Sequence, residues 1–426
     1  MRRLLRRIRQ AIYTVVILAC IVVGAAVFLH FRNGGTVEGL PEAAREWTDT
    51  LSVVGDFTGD VGKKIGDIAE SAKDYAEDGG DSLARAREGI TDAVDRIREP
   101  RGDSPSPPPP SRVEEAGSDI VVHFAPVEES LPDGIEDHLE AFILSAQKSV
   151  WCAVYDLELV AASDALIRQF RAGRDVRIVT DSHYDKRPAL KACHRAGIPI
   201  VFDERSAFMH NKFIVVDGER VWTGSANLTV NGMFRNNNNA LIIASKGLAR
   251  NYLSEFEEMY RDRAFGARSP ANTPNAVLKI GTVRVENHFA PEDNVRVEII
   301  EEIEEADDTI HFMAFSFTSA EIAEAMIWRR RKGVDVRGLF EKRNAGSQYS
   351  KDEFLEDAGV AVYYDTNPNS MHHKVIVIDN DVVVTGSYNF SNNADKRNDE
   401  NVLIIHSPDI ARQFTVEFER LTTAGG

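Results

Sequence analysis

Cysteine is scarce in this 426-residue chain: Cys20, Cys152 and Cys193, with no Cys-x-x-Cys spacing. That excludes a disulfide scaffold and a cysteine-rich zinc site. An excess of positive charge is also missing, since 50 Lys+Arg stand against 67 Asp+Glu for a net charge of −17. Such a chain does not coat nucleic acid by bulk charge, although a whole-chain sum hides local patches. Long apolar runs are absent with one exception, which excludes a polytopic membrane protein. What remains is an ordinary globular composition, 43% apolar and 27% charged, with enough apolar side chains for a core.

The exception is Ala11 to Phe31, which has no charged side chain and is long enough to cross a bilayer as one helix. Residues 1–10 carry five arginines and no acid, which predicts a cytoplasmic tail, a signal anchor over 11–31 and an extracytoplasmic remainder at the cell membrane. A cleaved signal peptide shares these features, but no clean A-x-A site closes the run. Over 32–99, Trp47, Leu51, Val54, Val61, Ile65, Ile68, Ala72 and Tyr75 recur at heptad-like intervals, predicting an amphipathic stalk that could self-associate or lie on the membrane. Residues 100–118, with Ser104 to Pro110, read as an extended Pro-rich linker.

Beyond the linker the chain repeats itself, with one copy expected over 119–270 and the other over 284–421. His123-Phe124-Ala125-Pro126 returns as His288-Phe289-Ala290-Pro291, and Met209-His210-Asn211-Lys212 returns as Met371-His372-His373-Lys374. The register then holds through Thr223-Gly224-Ser225-Ala226-Asn227 and Thr385-Gly386-Ser387-Tyr388-Asn389. Short apolar runs such as Phe213 to Val216 and Val375 to Ile378 suit buried strands, and Ala165 to Ala172 and Ile322 to Trp328 read as helices. The fold class expected is α/β: two similar halves forming a pseudo-two-fold pair.

The repeated unit is His-x-Lys-x4-Asp-x6-Gly-Ser-x-Asn. His and Lys two apart at a strand entrance point to one face. An imidazole supplies a nucleophile or a proton-transfer group near neutral pH, while Lys, Ser and Asn offer charge and hydrogen bonds to phosphate oxygens. Two such sets provide what phosphodiester transfer needs: one His to attack phosphorus, one to protonate the leaving oxygen, and two Lys for the equatorial oxygens. This chemistry calls for no metal or other cofactor.

On these residues the chain resembles the phospholipase D superfamily with its duplicated HKD motif: His210, Lys212, Asp217, Ser225 and Asn227 in one half, His372, Lys374, Asp379, Ser387 and Asn389 in the other. The resemblance implies a phosphohistidine formed by one His and resolved by water activated by the other. It also implies a carboxylate downstream of the second Gly-Ser-x-Asn box that orients a His, and Glu400 holds that place; in the first half Asn238 stands there instead. A carboxylate beside His372 would keep that His protonated as general acid and leave His210 as nucleophile. Asp217 and Asp379, though part of the motif, read as supporting the strand end. His373 reads as a bystander, His183 and His194 as surface residues that could line the site, and Cys152 as core.

The same chemistry serves nucleic acids and phospholipids. Met313 to Thr318 and Gly386 to Ser391 resemble the small bacterial nuclease branch, and the paired loops Lys186-Arg187 and Lys342-Arg343 are placed to bind flanking phosphates. Nucleic acid is therefore the expected substrate, with a phospholipase or cardiolipin-synthase-like transferase as the alternative. The anchor and Arg329-Arg330-Arg331-Lys332 favour that alternative. The acids between Glu298 and Asp308 read as a solvated outer face.

Overall fold

The computed structural model describes residues 119–126 and 134–423. The expected tail, anchor, stalk and linker lie outside these residues, and among the described ones no helix is long and apolar enough to cross a membrane.

Two mixed sheets carry the repeat. The first has the order β1 (Ile120–Ala125), β7 (Asn238–Ala244), β6 (Arg220–Gly224), β5 (Lys212–Val216), β2 (Ser149–Val154), β3 (Asp175–Thr180), β4 (Ile200–Phe202). The second repeats that order as β9 (Val283–Ala290), β15 (Glu400–His406), β14 (Val382–Gly386), β13 (Lys374–Ile378), β10 (Thr309–Ala314), β11 (Asp335–Phe340), β12 (Ala361–Tyr364), with β8 (Val277–Ile280) added beside β9. Strands β2, β3 and β4 are parallel, as are β10, β11 and β12, because helices connect them. The remaining pairs are antiparallel.

Six longer helices cover the sheets: α1 (Ile135–Leu144), α2 (Val160–Arg171), α3 (Lys246–Tyr260), α4 (Val295–Glu305), α5 (Ala320–Arg331) and α6 (Pro408–Thr423). Strand β5 is buried along its whole length. Alternation sends Val215 into the core between the sheets and Ile214 and Val216 into the core under α1 and α2. Strand β13 does the same with Val375 and Val377 against Ile376 and Ile378. The central core joins both halves: Tyr252 and Phe256 of α3 and Phe414 and Phe418 of α6 share it with Leu241, Leu339 and Leu403.

Most of the acidic run is solvated as expected. Val295, Ile299 and Ile303 bury one face of α4, while Glu301, Glu304, Glu305, Asp307 and Asp308 are exposed. The Arg329–Lys332 cluster ends α5 at the entry of β11, whereas the motif residues stand at that strand's exit. Part of the cluster is spent on the fold: Arg329 donates to the Ala306 carbonyl, and Arg330 Nε to that of Gly359 at 2.9 Å.

Candidate active site

The two motif histidines enter from matching strand entrances, and each half holds the other's. The backbone N–H of His210 donates to the Asp399 carbonyl at 2.9 Å, and that of His372 to the Asn237 carbonyl at 2.8 Å. Each histidine thus arrives beside the start of β15 or β7 in the opposite half. Tyr155, following β2, packs edge-on to His210 with ring centroids 4.7 Å apart, and Phe315, following β10, does so to His372 at 4.5 Å.

This crossing corrects one expectation. Glu400 does not touch His372; its Oε2 lies 2.7 Å from His210 Nδ1, across the pseudo-two-fold. His372 Nδ1 instead lies 2.9 Å from Asn238 Oδ1. The Asn238 amide donates its Nδ2 to the Gly232 carbonyl at 3.0 Å. Its oxygen therefore faces the imidazole, so His372 carries its proton on Nδ1 and presents the Nε2 lone pair. Glu400 fixes His210 likewise.

Ser225 and Ser387 also differ from expectation: they hold the partners of the histidines rather than offering hydroxyls to phosphate. Ser225 Oγ donates to Asn238 Oδ1 at 2.9 Å, and Ser387 Oγ to Glu400 Oε2 at 2.6 Å. Gly224 and Gly386 serve the same junction. A Cβ on Gly386 would sit 2.2 Å from the Asn401 carbonyl oxygen, and one on Gly224 2.5 Å from that of Asn239, so the close approach is between strands and not toward substrate. Asn227 and Asn389 each keep a buried Oδ1 without a hydrogen-bond partner among the described residues.

Lys212 and Lys374 are buried, and among the described residues neither pairs with a carboxylate within salt-bridge distance. Their Nζ atoms donate to the carbonyls of His210 at 2.6 Å and His372 at 2.8 Å, and lie over the rings of Tyr155 and Phe315. Burial lowers Lys212 to about 7, while Glu400, Asp156 and Asp181 counteract it. Lys374 falls well below its ordinary value, first through burial and then through Lys212. Burial also lowers His210 to about 4 against the pull of Glu400. His372 falls well below the usual histidine range through burial and then through Lys374, Lys212 and His210. These mutual repulsions place the two pairs in one small volume that favours an anion. Glu400 stays below the usual carboxylate range despite its burial, because His210, Lys212 and Ser387 stabilise its charge.

Asp217 and Asp379 stand at the far end of β5 and β13, outside this centre. Asp217 accepts backbone N–H bonds from Gln147, Lys148 and Ser149 at 2.6–3.1 Å, and Asp379 from Asp307, Asp308 and Thr309 at 2.7–2.8 Å. They pin the preceding turn to the sheet. His373 is no bystander: fully buried, it links Asn239 at 3.1 Å to Glu417 at 3.2 Å across the two halves. Cys152 is core and His194 is exposed, as expected, while His183 binds Asp181 at 2.7 Å and packs on Phe208 beside His210.

Of the loop cations, Arg187 is committed to Asp156 at 2.6 and 2.9 Å and to Glu158 at 3.2 Å, so it is not available to flanking phosphates. Arg343 is held by Glu341 at 2.7 Å and by Ser370, but remains over half exposed. Lys186 and Lys342 are exposed. Motif reading missed Asp181 and Glu341, which follow β3 and β11 and accept the backbone N–H groups of Met209 at 3.1 Å and Met371 at 2.7 Å. Their equivalent places in the repeat were the available signal.

Residues 139–260 and 299–422, more than half of the chain, match the family described as "Cardiolipin synthase, PLD-like domain". The chain belongs to the phospholipase D superfamily. Among its superfamily relatives, a phospholipase D of Rickettsia prowazekii is 32% identical over 170 residues, 40% of this chain and 83% of the relative. A mitochondrial cardiolipin hydrolase of Xenopus laevis is 36% identical over 116 residues, 27% of this chain and 55% of the relative. The phosphatidylserine synthase of Haemophilus influenzae shares the fold, with a TM-score of 0.55 at 15% identity over 71% of this chain and 86% of that one. A phospholipase D superfamily phosphodiesterase is thus what the sequence and the site both describe.

Proposed function

We propose that this phosphodiesterase cleaves nucleic acid through a phosphohistidine on His210. The observation that carries the reading is the rim of the site. Lys186, Lys342 and Arg343, which follow β3 and β11, and Arg235, Lys396 and Arg397, which precede β7 and β15, are all exposed, and the segments between β3 and His210 also carry the exposed acids Asp185 and Glu204. Arg235 and Arg397 are equivalent in the repeat, and Lys186 and Lys342 stand at different places in the loops that follow the equivalent strands β3 and β11, so both halves contribute exposed cations. A polyanionic strand running over both halves uses all of them, whereas a single headgroup phosphodiester does not.

The crossed contact supports the role of each histidine. Attack by Nε2 with a proton retained on Nδ1 puts positive charge on the ring, which the Glu400 carboxylate stabilises and an amide does not. His372, backed by neutral Asn238, makes the more acidic imidazolium; protonated on Nε2 once the anionic phosphodiester is bound beside it, it gives that proton to the departing oxygen and regains one from the water that releases the phosphoenzyme. Lys212 and Lys374 hold the equatorial oxygens. Residues 11–31 would tether the enzyme to the cell membrane, the stalk giving it reach and a surface for self-association.

A lipid substrate is the second reading, supported by the names of the curated relatives, a phospholipase D and a cardiolipin hydrolase. The test offers the compact unit Val113–Gly426 single-stranded DNA, duplex DNA, RNA, and phosphatidylcholine or cardiolipin vesicles. Expected are oligonucleotide cleavage that persists in EDTA, with folding monitored in parallel, and a phosphohistidine located on His210 by mass spectrometry. Headgroup release without oligonucleotide cleavage replaces the nuclease by the lipid reading, and phosphate on His372 reverses the roles.

A further inference from the structure

Helices α3 and α6 are mates in the repeat. Leu248, Ala249, Tyr252, Phe256 and Met259 match Ile410, Ala411, Phe414, Phe418 and Leu421, all of them buried. Within this equivalence one pair of positions departs sharply. In α6 the buried Glu417 is neutralised: Arg420 donates to it twice at 2.8 Å, and His373 lies 3.2 Å away. In α3 the matching carboxylate is Glu255, 3% exposed, but Arg420 is replaced by Glu258 and His373 by Asn211. Glu292, just after β9, supplies a third acid, and one carboxylate oxygen from each of Glu255, Glu258 and Glu292 lies within 4.8 Å of the other two.

Among the described residues no lysine, arginine or histidine pairs with any of the three. Asn211 Nδ2 reaches Glu255 at 3.2 Å and Asn272 Nδ2 reaches Glu258 Oε2 at 3.3 Å. Glu258 is 5% exposed, and its Oε1 is buried without a hydrogen-bond partner, as is Glu292 Oε2. Three carboxylates this close, two of them buried and Glu292 half-buried, do not all ionise without a compensating charge. In the protein alone, burial pushes Glu258 to about 7 and Glu292 to about 8, and Glu255 well upward.

We propose that Glu255, Glu258 and Glu292 bind a hard divalent cation, of the Ca²⁺ class, which supplies to the first half the charge that Arg420 supplies to the second. Oxygens about 2.3–2.6 Å from one Ca²⁺ stand at most about 5 Å apart, which matches the observed spread, and an all-oxygen donor set selects Ca²⁺, Mg²⁺ or Mn²⁺ over softer ions. A recess of about 300 Å³, lined by Glu257, Glu258, Asp262 and Asn272 with Arg250 and Arg261 among others, opens beside Glu258; Arg261 is paired there with Glu257 and Asp262, and the recess gives a hydrated ion its route. Two other clusters share Glu286, one with Glu302 and His406 and one with His288 and Glu298, and Glu286 already has internal cations in Arg284 and His406, so neither makes such a demand. Through Asn211, which also accepts from Asn401 at 2.8 Å, the ion would stiffen the junction next to His210.

The test is thermal unfolding and calorimetric titration of the full chain, stripped with EDTA and then given CaCl₂, MgCl₂ or MnCl₂. Expected is a saturable rise in Tm of about 4 °C at a hundredfold excess over Kd. Glu258→Arg, which copies the second half, should remove that rise while melting in EDTA no lower than the parent. If that variant does not fold, Glu292→Gln must weaken binding at least about tenfold. A parent chain that responds to none of the three ions, or a Glu258→Arg chain that keeps the response, overturns the proposal. These readouts do not involve catalysis, so they stand or fall separately from the nuclease reading.

Discussion

Glu400 and Asn238 occupy equivalent positions and differ by one functional group, and that difference separates two otherwise similar histidines. Replacing Glu400 by Gln keeps the hydrogen-bonding shape but removes the charge that stabilises a phosphorylated or protonated His210. Steady-state kinetics should then show kcat lower by about 10²–10⁴-fold with KM little changed; an unchanged kcat would remove the carboxylate from the mechanism. Lys212 carries the opposite tension, as its burial costs stability that an anionic substrate offsets. Its folded pKa lies near 7 against an ordinary 10.5. At and below neutral pH the protein therefore bears the cost of a buried charge, and from there upward the folded state sheds that proton while the unfolded chain keeps it. Lys212→Met should be inactive yet more stable at about pH 7, by on the order of 1–3 kcal/mol. That advantage should shrink by about pH 9, as denaturant melts at the two pH values would show.

At the scale of elements, the motif reads as two kinds of residue that sequence spacing alone presents as one. His and Lys face the centre, while Asp217 and Asp379 grip backbone at the other end of the same strands and the serines brace their neighbours. Spacing along a strand gives the face of a side chain; which end of the strand it serves depends on what packs there. Glycine shows the distinction in energetic form. Gly333 has φ +103° with no atom within 4 Å of where a Cβ would stand, whereas Gly386, at φ +150°, would drive a Cβ to 2.2 Å from the Asn401 carbonyl. Gly333→Ala should cost about 1 kcal/mol from backbone strain alone. Gly386→Ala should cost about 3 kcal/mol or more, since β14 and β15 must separate; equal costs in urea unfolding would show that the strands yield easily.

The two halves make one catalytic unit because their central core and their histidine partners both cross the pseudo-two-fold. Produced as two chains, 119–270 and 284–426, each half would expose the apolar face now shared by Tyr252, Phe256, Phe414 and Phe418. His210 would also lose Glu400. Each half alone should be inactive and bind a hydrophobic dye, and co-refolding should restore cleavage; activity in an isolated half would refute the shared site.

By itself the sequence determined the duplication, the α/β class and the identity of the His and Lys pairs, because these are written in local periodicity and spacing, which a chain carries wherever it folds. Only the tertiary structure decided that Glu400 serves His210, that Arg187 is occupied by Asp156, and that Glu255, Glu258 and Glu292 meet in one cluster. The scarcity of cysteine and of positive charge said only what the chain is not. Which charge meets which is settled by packing between segments far apart in sequence, and in a duplicated protein every local pattern has two candidate partners until the halves are brought together.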